Sequence, residues 1–148
     1  MELRVLISVV LVLLASYEAR SSSLVELGAN DTDLLSLLEF KRGITNDPTG
    51  AMNAWNTSVH FCSWKGVTCG GGHGHARVVA LDLAGLPLAG RISPSIGNLT
   101  RLASLTLSAN KFSGELPHLG RVRRLEFLDL SENFSCKAIA GALLFPVS

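Results

Sequence analysis

Cys62 and Cys69, together with four histidines, carry the side chains here that could hold a metal, exchange electrons or shuttle a proton. In "FCSWKGVTC" the two cysteines have six residues between them, whereas a redox pair wants Cys-x-x-Cys. A structural zinc site needs about four ligands. His73 and His75 in "GGGHGH" would complete such a set by count, but they stand two apart in a glycine run. Zinc fingers space their histidines by about three to five, so the run reads as a flexible loop and no metal or other cofactor is expected. None of His60, His73, His75 and His118 lies near a nucleophile-and-acid pattern. Neither a glycine-rich phosphate loop nor a His-Arg-Asp triplet is present, so this chain is not expected to be an enzyme.

What the cysteines do depends on the compartment. "MELRVLISVVLVLLASYEARSSS" has a basic start at Arg4, an apolar run from Val5 to Ala15, and small polar residues after it. Eleven residues suit a secretory leader and fall short of the roughly 20 that span a bilayer, so residues 1–23 are expected to be a signal peptide. The rest offers no transmembrane segment, and a secreted, extracellular chain is expected. In an oxidising compartment a cysteine pair at this spacing reads first as a disulfide, worth roughly 2.5 kcal/mol in the chain-entropy model. Cys136 is then the odd thiol. Four Asn-x-Ser/Thr triplets, at Asn30, Asn56, Asn98 and Asn133, are candidate glycosylation sites. A net charge of +1 with 17% charged residues leaves no footprint for nucleic acid.

These residues need a frame. Asn30, Asp31 and Thr32 offer helix-capping oxygens, and Asp31 and Asp33 favour the positive end of a helix dipole. Leu34, Leu35, Leu38 and Arg42 share one side at helical spacing, and Gly43 can end the helix. "TNDPTG" reads as a turn, and Trp55, Phe61 and Trp64 as a cover for one end of a core.

The strongest pattern is an internal repeat. Leu81/Leu83, Leu105/Leu107 and Leu128/Leu130 recur at steps of 24 and 23 residues, with Leu88 matching Phe112, Gly90 matching Gly114 and Ile92 matching Leu116. Each Leu-x-Leu predicts a short strand with its leucines inward, stacked by successive coils into a parallel sheet. Asn110 and Asn133 sit three past the second leucine, where a buried amide can satisfy the turning backbone and that of the next coil. The outward set is Asp82, Ser104, Thr106, Ser108, Glu126, Phe127 and Asp129, which would line a concave binding face. It is small or acidic, with Phe127 its one aromatic anchor.

"DTDLLSLLEFK", "WNTSVHFCSWKGVTC" and L-x-x-L-x-L-x-x-N-x-F-x-G together resemble the N-terminal ectodomain of plant leucine-rich repeat receptor-like kinases. The resemblance implies an α/β leucine-rich repeat solenoid whose N-terminal cap is helical and stapled by Cys62–Cys69. It divides the chain into a cap over residues 24–77, two full repeats and one partial over 78–134, and a divergent tail over 135–148. In that family the ectodomain recognises a protein or peptide ligand or a co-receptor, and a membrane helix and kinase follow. The implied function is an extracellular binding module in signalling or defence, at the cell surface if part of a longer receptor; a free-standing inhibitor, a decoy or an inactive remnant are the alternatives. The basic cluster Arg121, Arg123 and Arg124 reads as a solvated face, with an acidic cell-wall polysaccharide or a partner protein as its other readings. Two departures stand out. Leu86 takes the asparagine position in the first repeat, and the third repeat leaves the pattern at "SENFSCKAIAGALLFPVS".

If the chain is secreted, Asn56 and Asn98 should carry glycan, since both fall in segments read as loops. Glycosidase treatment should then increase its gel mobility; an unchanged band would count against secretion or against exposure of both sites.

Overall fold

The computed structural model describes residues 28–72, 75–134 and 136–138. The expected signal peptide, His73 and the tail beyond Ala138 lie outside them.

Helix α1 (Ala29–Arg42) opens the cap. The Asp31 carboxylate accepts from the Gly28 N–H at 3.1 Å, so the cap residue is Gly28 and Asp31 reaches back to it. The buried face is not the leucine side expected from the sequence. Asp33, Ser36, Leu37 and Phe40 are buried, while Leu34 and Leu38 are half-buried and Leu35 is 47% exposed. These positions follow the three- and four-residue steps of a single helical stripe. The leucine count misleads because one member of the true stripe is a carboxylate.

That carboxylate, Asp33, is fully buried. Both its oxygens accept from the Arg77 guanidinium at 2.9 and 2.8 Å, and Oδ2 also accepts from the Val78 N–H at 2.9 Å. Arg77 donates further to the Thr100 hydroxyl at 3.2 Å. The cap helix is thereby fastened to the start of the first repeat strand.

Gly43 ends the helix through space rather than backbone freedom: a Cβ there would lie 2.5 Å from the Arg91 carbonyl oxygen. β1 (Ile44–Asn46) follows, so the expected turn begins only at Asp47. The Asp47 carboxylate accepts from the N–H groups of Ala51 and Met52 at 3.0 and 2.8 Å. Trp55 and Trp64 stack with ring centres 5.1 Å apart, and Phe40 packs on Trp55 at 6.3 Å. With Phe61, also buried, the two tryptophans close the cap end of the core as expected. Cys62 and Cys69 form a disulfide, their Cα atoms 5.5 Å apart.

β2 (Val67–Gly70) pairs antiparallel with β3 (Arg77–Asp82). From β3 the sheet is parallel through β5 (Ser104–Thr106) and β8 (Phe127–Asp129). Leu81 pairs with Leu105, and Leu105 with Leu128, so the leucine columns are in register. Leu81, Leu83, Leu105 and Leu107 are fully buried; Leu128 and Leu130 are partly so. A second sheet joins β1 to β4 (Ala89–Gly90) and β6 (Lys111–Phe112). Gly90, at φ 144°, lets β1 approach closely, since a Cβ there would collide with the Gly43 carbonyl oxygen. On the same flank β7 (Gly114–Leu116) pairs in parallel with β9 (Cys136–Ala138).

Coils are also joined by side-chain amides. Asn110 Oδ1 accepts from the Leu88 N–H at 2.9 Å, and its Nδ2 donates toward the carbonyls of Leu83, Leu107 and Ser108 within 3.1 Å. Asn133 repeats this with the Phe112 N–H and the carbonyls of Leu107, Leu130 and Ser131. The sequence points to the next coil as the partner, but both amides bind the preceding one. Each turn is set by a left-handed residue just before the amide or its replacement: Gly85, Ala109 and Glu132, at φ 66°, 53° and 55°. Leu86 replaces asparagine in the first repeat because the cap in front of it has no equivalent coil to bind.

Truncating one partner of a buried ion pair typically costs about 3–5 kcal/mol, and Arg77 retains some solvent access. Asp33→Ala should therefore lower the unfolding free energy by about 3 kcal/mol, read from denaturant midpoints. The double variant Asp33→Leu/Arg77→Met should recover much of that loss.

Candidate functional site

The outer surface of the β2–β3–β5–β8 sheet gathers the outward residues into rows across the coils. Ala80, Ser104 and Phe127 are register partners, as are Asp82, Thr106 and Asp129. Strand neighbours lie about 4.8 Å apart, so each row is a nearly continuous line of side chains. Pairing of Thr68 with Ala80 extends the first row into the cap. Thr68 was missed in the sequence reading. Its signal was the alternation in Val67-Thr68-Cys69, where Val67 is buried and Thr68 exposed.

The members of this face have different duties. Asp82 Oδ1 accepts from the Ala84 N–H at 3.1 Å, closing a turn at the strand end. Asp129 Oδ1 accepts from the Ser131 hydroxyl at 2.7 Å and from its N–H at 3.0 Å. These bonds, led by the Ser131 hydroxyl, and a further one from Ser108 hold Asp129 below the usual carboxylate range. Both carboxylates therefore shape turns while leaving acceptor capacity toward solvent. Ser104, Thr106 and Ser108 are half-buried and contribute hydroxyls. Glu126 is exposed, and Phe127, 55% exposed, is the large apolar group on the face.

Elsewhere, Arg101, Arg121, Arg123 and Arg124 are exposed, and Arg121 donates to Asn98 Oδ1 at 3.3 Å. An open groove of about 900 Å³ runs between the end of α1 and the flank strands. Its charges, Glu39, Arg42, Arg91 and Glu115, are of both signs, and Arg42 is paired with Glu39 at 2.7 Å. Among the described residues no group of three or more His, Cys, Asp or Glu is placed to hold a metal ion. None of their helices is long and apolar enough to cross a membrane.

The sequons are not equivalent. Asn56 is exposed, Asn98 is half-buried at the end of the 3₁₀ turn Pro94–Asn98, and Asn30 lies in the first turn of α1. At Asn133 the Nδ2, the atom a glycan would occupy, donates toward the carbonyls of Leu107, Leu130 and Ser131, so a sugar there would compete with the amide ladder.

Residues 30–70 match the leucine rich repeat N-terminal domain. Among curated relatives, the LRR receptor-like serine/threonine-protein kinase EFR of Arabidopsis thaliana is 45% identical over 100 residues. That alignment takes in 66% of this chain and 10% of EFR, so the chain spans about a tenth of that relative's length. A chain of the BIR3–SERK2 complex from Arabidopsis thaliana superposes with a TM-score of 0.61 at 32% identity, covering 68% of this chain and 56% of that one. The Arabidopsis receptor kinase HAESA structure, in complex with the peptide hormone IDA and the co-receptor SERK1, matches at TM-score 0.50 and 25% identity. It covers 70% of this chain and 22% of that one. Cap and coils are thus similar to the N-terminal ectodomain of plant leucine-rich repeat receptor kinases, as the motifs implied.

The depressed Asp129 carboxylate makes an acid-side prediction. A group whose folded pKa lies below its unfolded value adds stability above the unfolded pKa, near 3.9, and loses it as pH falls through the folded one. Asp47 acts in the same sense. Burial pushes it up, but the N–H groups of Met52 and Ala51 and the Thr49 hydroxyl outweigh that. Stability should hold above about pH 4 and decline below it. In a carboxyl-carbon NMR titration, Ser131→Ala should move the Asp129 midpoint upward and leave Asp47 in place.

Proposed function

We propose that this chain, similar over its cap and coils to receptor-kinase ectodomains, is an extracellular recognition module whose outer sheet face docks a peptide or a partner ectodomain. One observation carries the reading. On this sheet the strand leucines Leu81, Leu105 and Leu128 face the core on the inner side, which leaves Ser104, Thr106, Asp82, Asp129 and the exposed Phe127 on the outer one. A row of hydroxyls and carboxylates at strand spacing suits the N–H groups of an extended peptide, and Phe127 supplies an apolar anchor at its edge. The relatives named above, one of them bound to a peptide hormone and a co-receptor, support a role in signalling or defence at the cell surface. Catalysis is no part of this role: the similarity covers ectodomain alone, and any kinase activity would belong to a different domain.

The test is surface plasmon resonance of the secreted chain over immobilised SERK1 ectodomain. Wild type should bind, and Phe127→Ala should weaken binding about tenfold or more, as a residue worth about 1.4 kcal/mol would. Arg123→Ala, away from that face, should bind as wild type does. Equal binding by the Phe127 and wild-type proteins would remove the sheet face from the interaction. No binding by wild type would remove this class of partner.

A further inference from the structure

We propose that the segments leading into β5 and β8 form a second binding site, for a linear polysaccharide bearing carboxylates, built on Arg101, Arg121, Arg123 and Arg124. The repeat itself sets the site out. Arg77, Arg101 and Arg124 stand three residues ahead of Ala80, Ser104 and Phe127, which are register partners across β3, β5 and β8. One arginine thus holds the same place in three successive coils, about one strand spacing apart. What differs is the surface each one meets. Arg77 faces the buried Asp33 of the cap helix, and the cap uses up its charge. Arg101 and Arg124 are exposed, and among the described residues neither joins an ion pair.

Arg121 and Arg123 widen this strip. Arg121 reaches the coil before it through Asn98 Oδ1 at 3.3 Å, and Arg123 is exposed beside Arg124. A shallow cleft of about 280 Å³, lined by Pro94, Gly97, Asn98, His118, Gly120 and Arg121, gives a ligand a recess next to the charges. Glu126, two residues past Arg124, is the one carboxylate close by in the same segment, so four cations face a single anion. The larger apolar residues between the arginines, Leu119, Val122 and Leu125, are buried. No phenylalanine, tyrosine or tryptophan falls between Leu116 and Glu126, and Phe127 belongs to the sheet face. The strip therefore lacks a wedge for a lipid surface, an aromatic anchor for a protein interface and a platform for nucleic-acid bases. What it offers is guanidinium forks at a repeating interval, and such forks grip carboxylates through paired hydrogen bonds. An acidic polysaccharide, with a carboxylate on successive sugars and little apolar surface, matches that chemistry.

Binding of the full secreted chain to immobilised polygalacturonate, with uncharged dextran as the blank, tests the site. Wild type should bind at about 50 mM salt and weaken about tenfold or more at about 300 mM, because exposed charges are screened. Arg101→Gln/Arg124→Gln should bind about tenfold or more weakly than wild type. Its Tm should stay within about 2 °C, since both side chains are exposed. Lys65→Gln should bind as wild type does: Lys65 is exposed in the cap at the far end of the strands, where the Asp82 N–H donates to the Gly66 carbonyl. No binding by wild type, or equal losses in the Lys65 and double-arginine variants, would overturn the proposal. Tighter binding to phosphatidylserine vesicles than to polygalacturonate would overturn it in favour of a lipid surface. A double variant that loses SERK1 ectodomain but keeps polygalacturonate would make the strip a protein interface instead.

Discussion

A carboxylate with no access to water holds the cap to the solenoid, and the geometry of every later coil is referred to it. Asp33 enters the core on a helix otherwise packed through Leu37 and Phe40, where an unpaired charge would be costly. The bidentate fork of Arg77 and the N–H of Val78 use its acceptors. Since Arg77 and Val78 open β3, the same contact sets where the first repeat strand begins. β5 and β8 then take their register from β3, leucine on leucine. Such a pair adds little net stability over an apolar one, but it specifies a single docking of helix on sheet.

From there the architecture propagates by a division of labour between side chains. Leucines fill the interior, and one amide per coil serves the backbone of the preceding turn, where no water would reach it. Asn110 and Asn133 make the same set of bonds one coil apart, which is the direct physical form of the repeat. Placing each amide requires a left-handed residue before it. The first coil uses glycine, and the next two use Ala109 and Glu132, which accept that conformation at a cost of about 1–2 kcal/mol each. The stacking energy of the coil has to exceed that strain, which is one reason an isolated coil is not a folding unit.

Because the interior is satisfied from one side of the sheet, the other side is free to vary. That explains how a scaffold with so regular a core can carry an outer face of mixed hydroxyls, carboxylates and a single phenylalanine. It also explains why the four sequons diverge. The triplet is a local pattern, but whether its amide faces solvent or a carbonyl depends on which coil position it occupies. Asn56 sits in a cap loop, while Asn133 is a ladder residue.

By itself the sequence determined the solenoid. Leucine spacing, the asparagine three residues on, and the cysteine pair after a leader-like start are local signals, and each survives because its physical cause acts within one coil. The aromatic cover of Trp55, Phe61 and Trp64 was legible for the same reason: large apolar groups in an irregular segment have few places to go. What only the tertiary structure decided depends on contacts between segments distant in sequence. Forty-four residues separate Asp33 from Arg77, so the acid read as a dipole partner and the helix appeared to bury its leucines. The direction of the amide bonds, toward the preceding coil, follows from how coils stack and leaves no trace in the motif. Cys136–Ala138 joined the flank sheet at a shortened step because backbone pairing tolerates a change in loop length that a fixed repeat period does not.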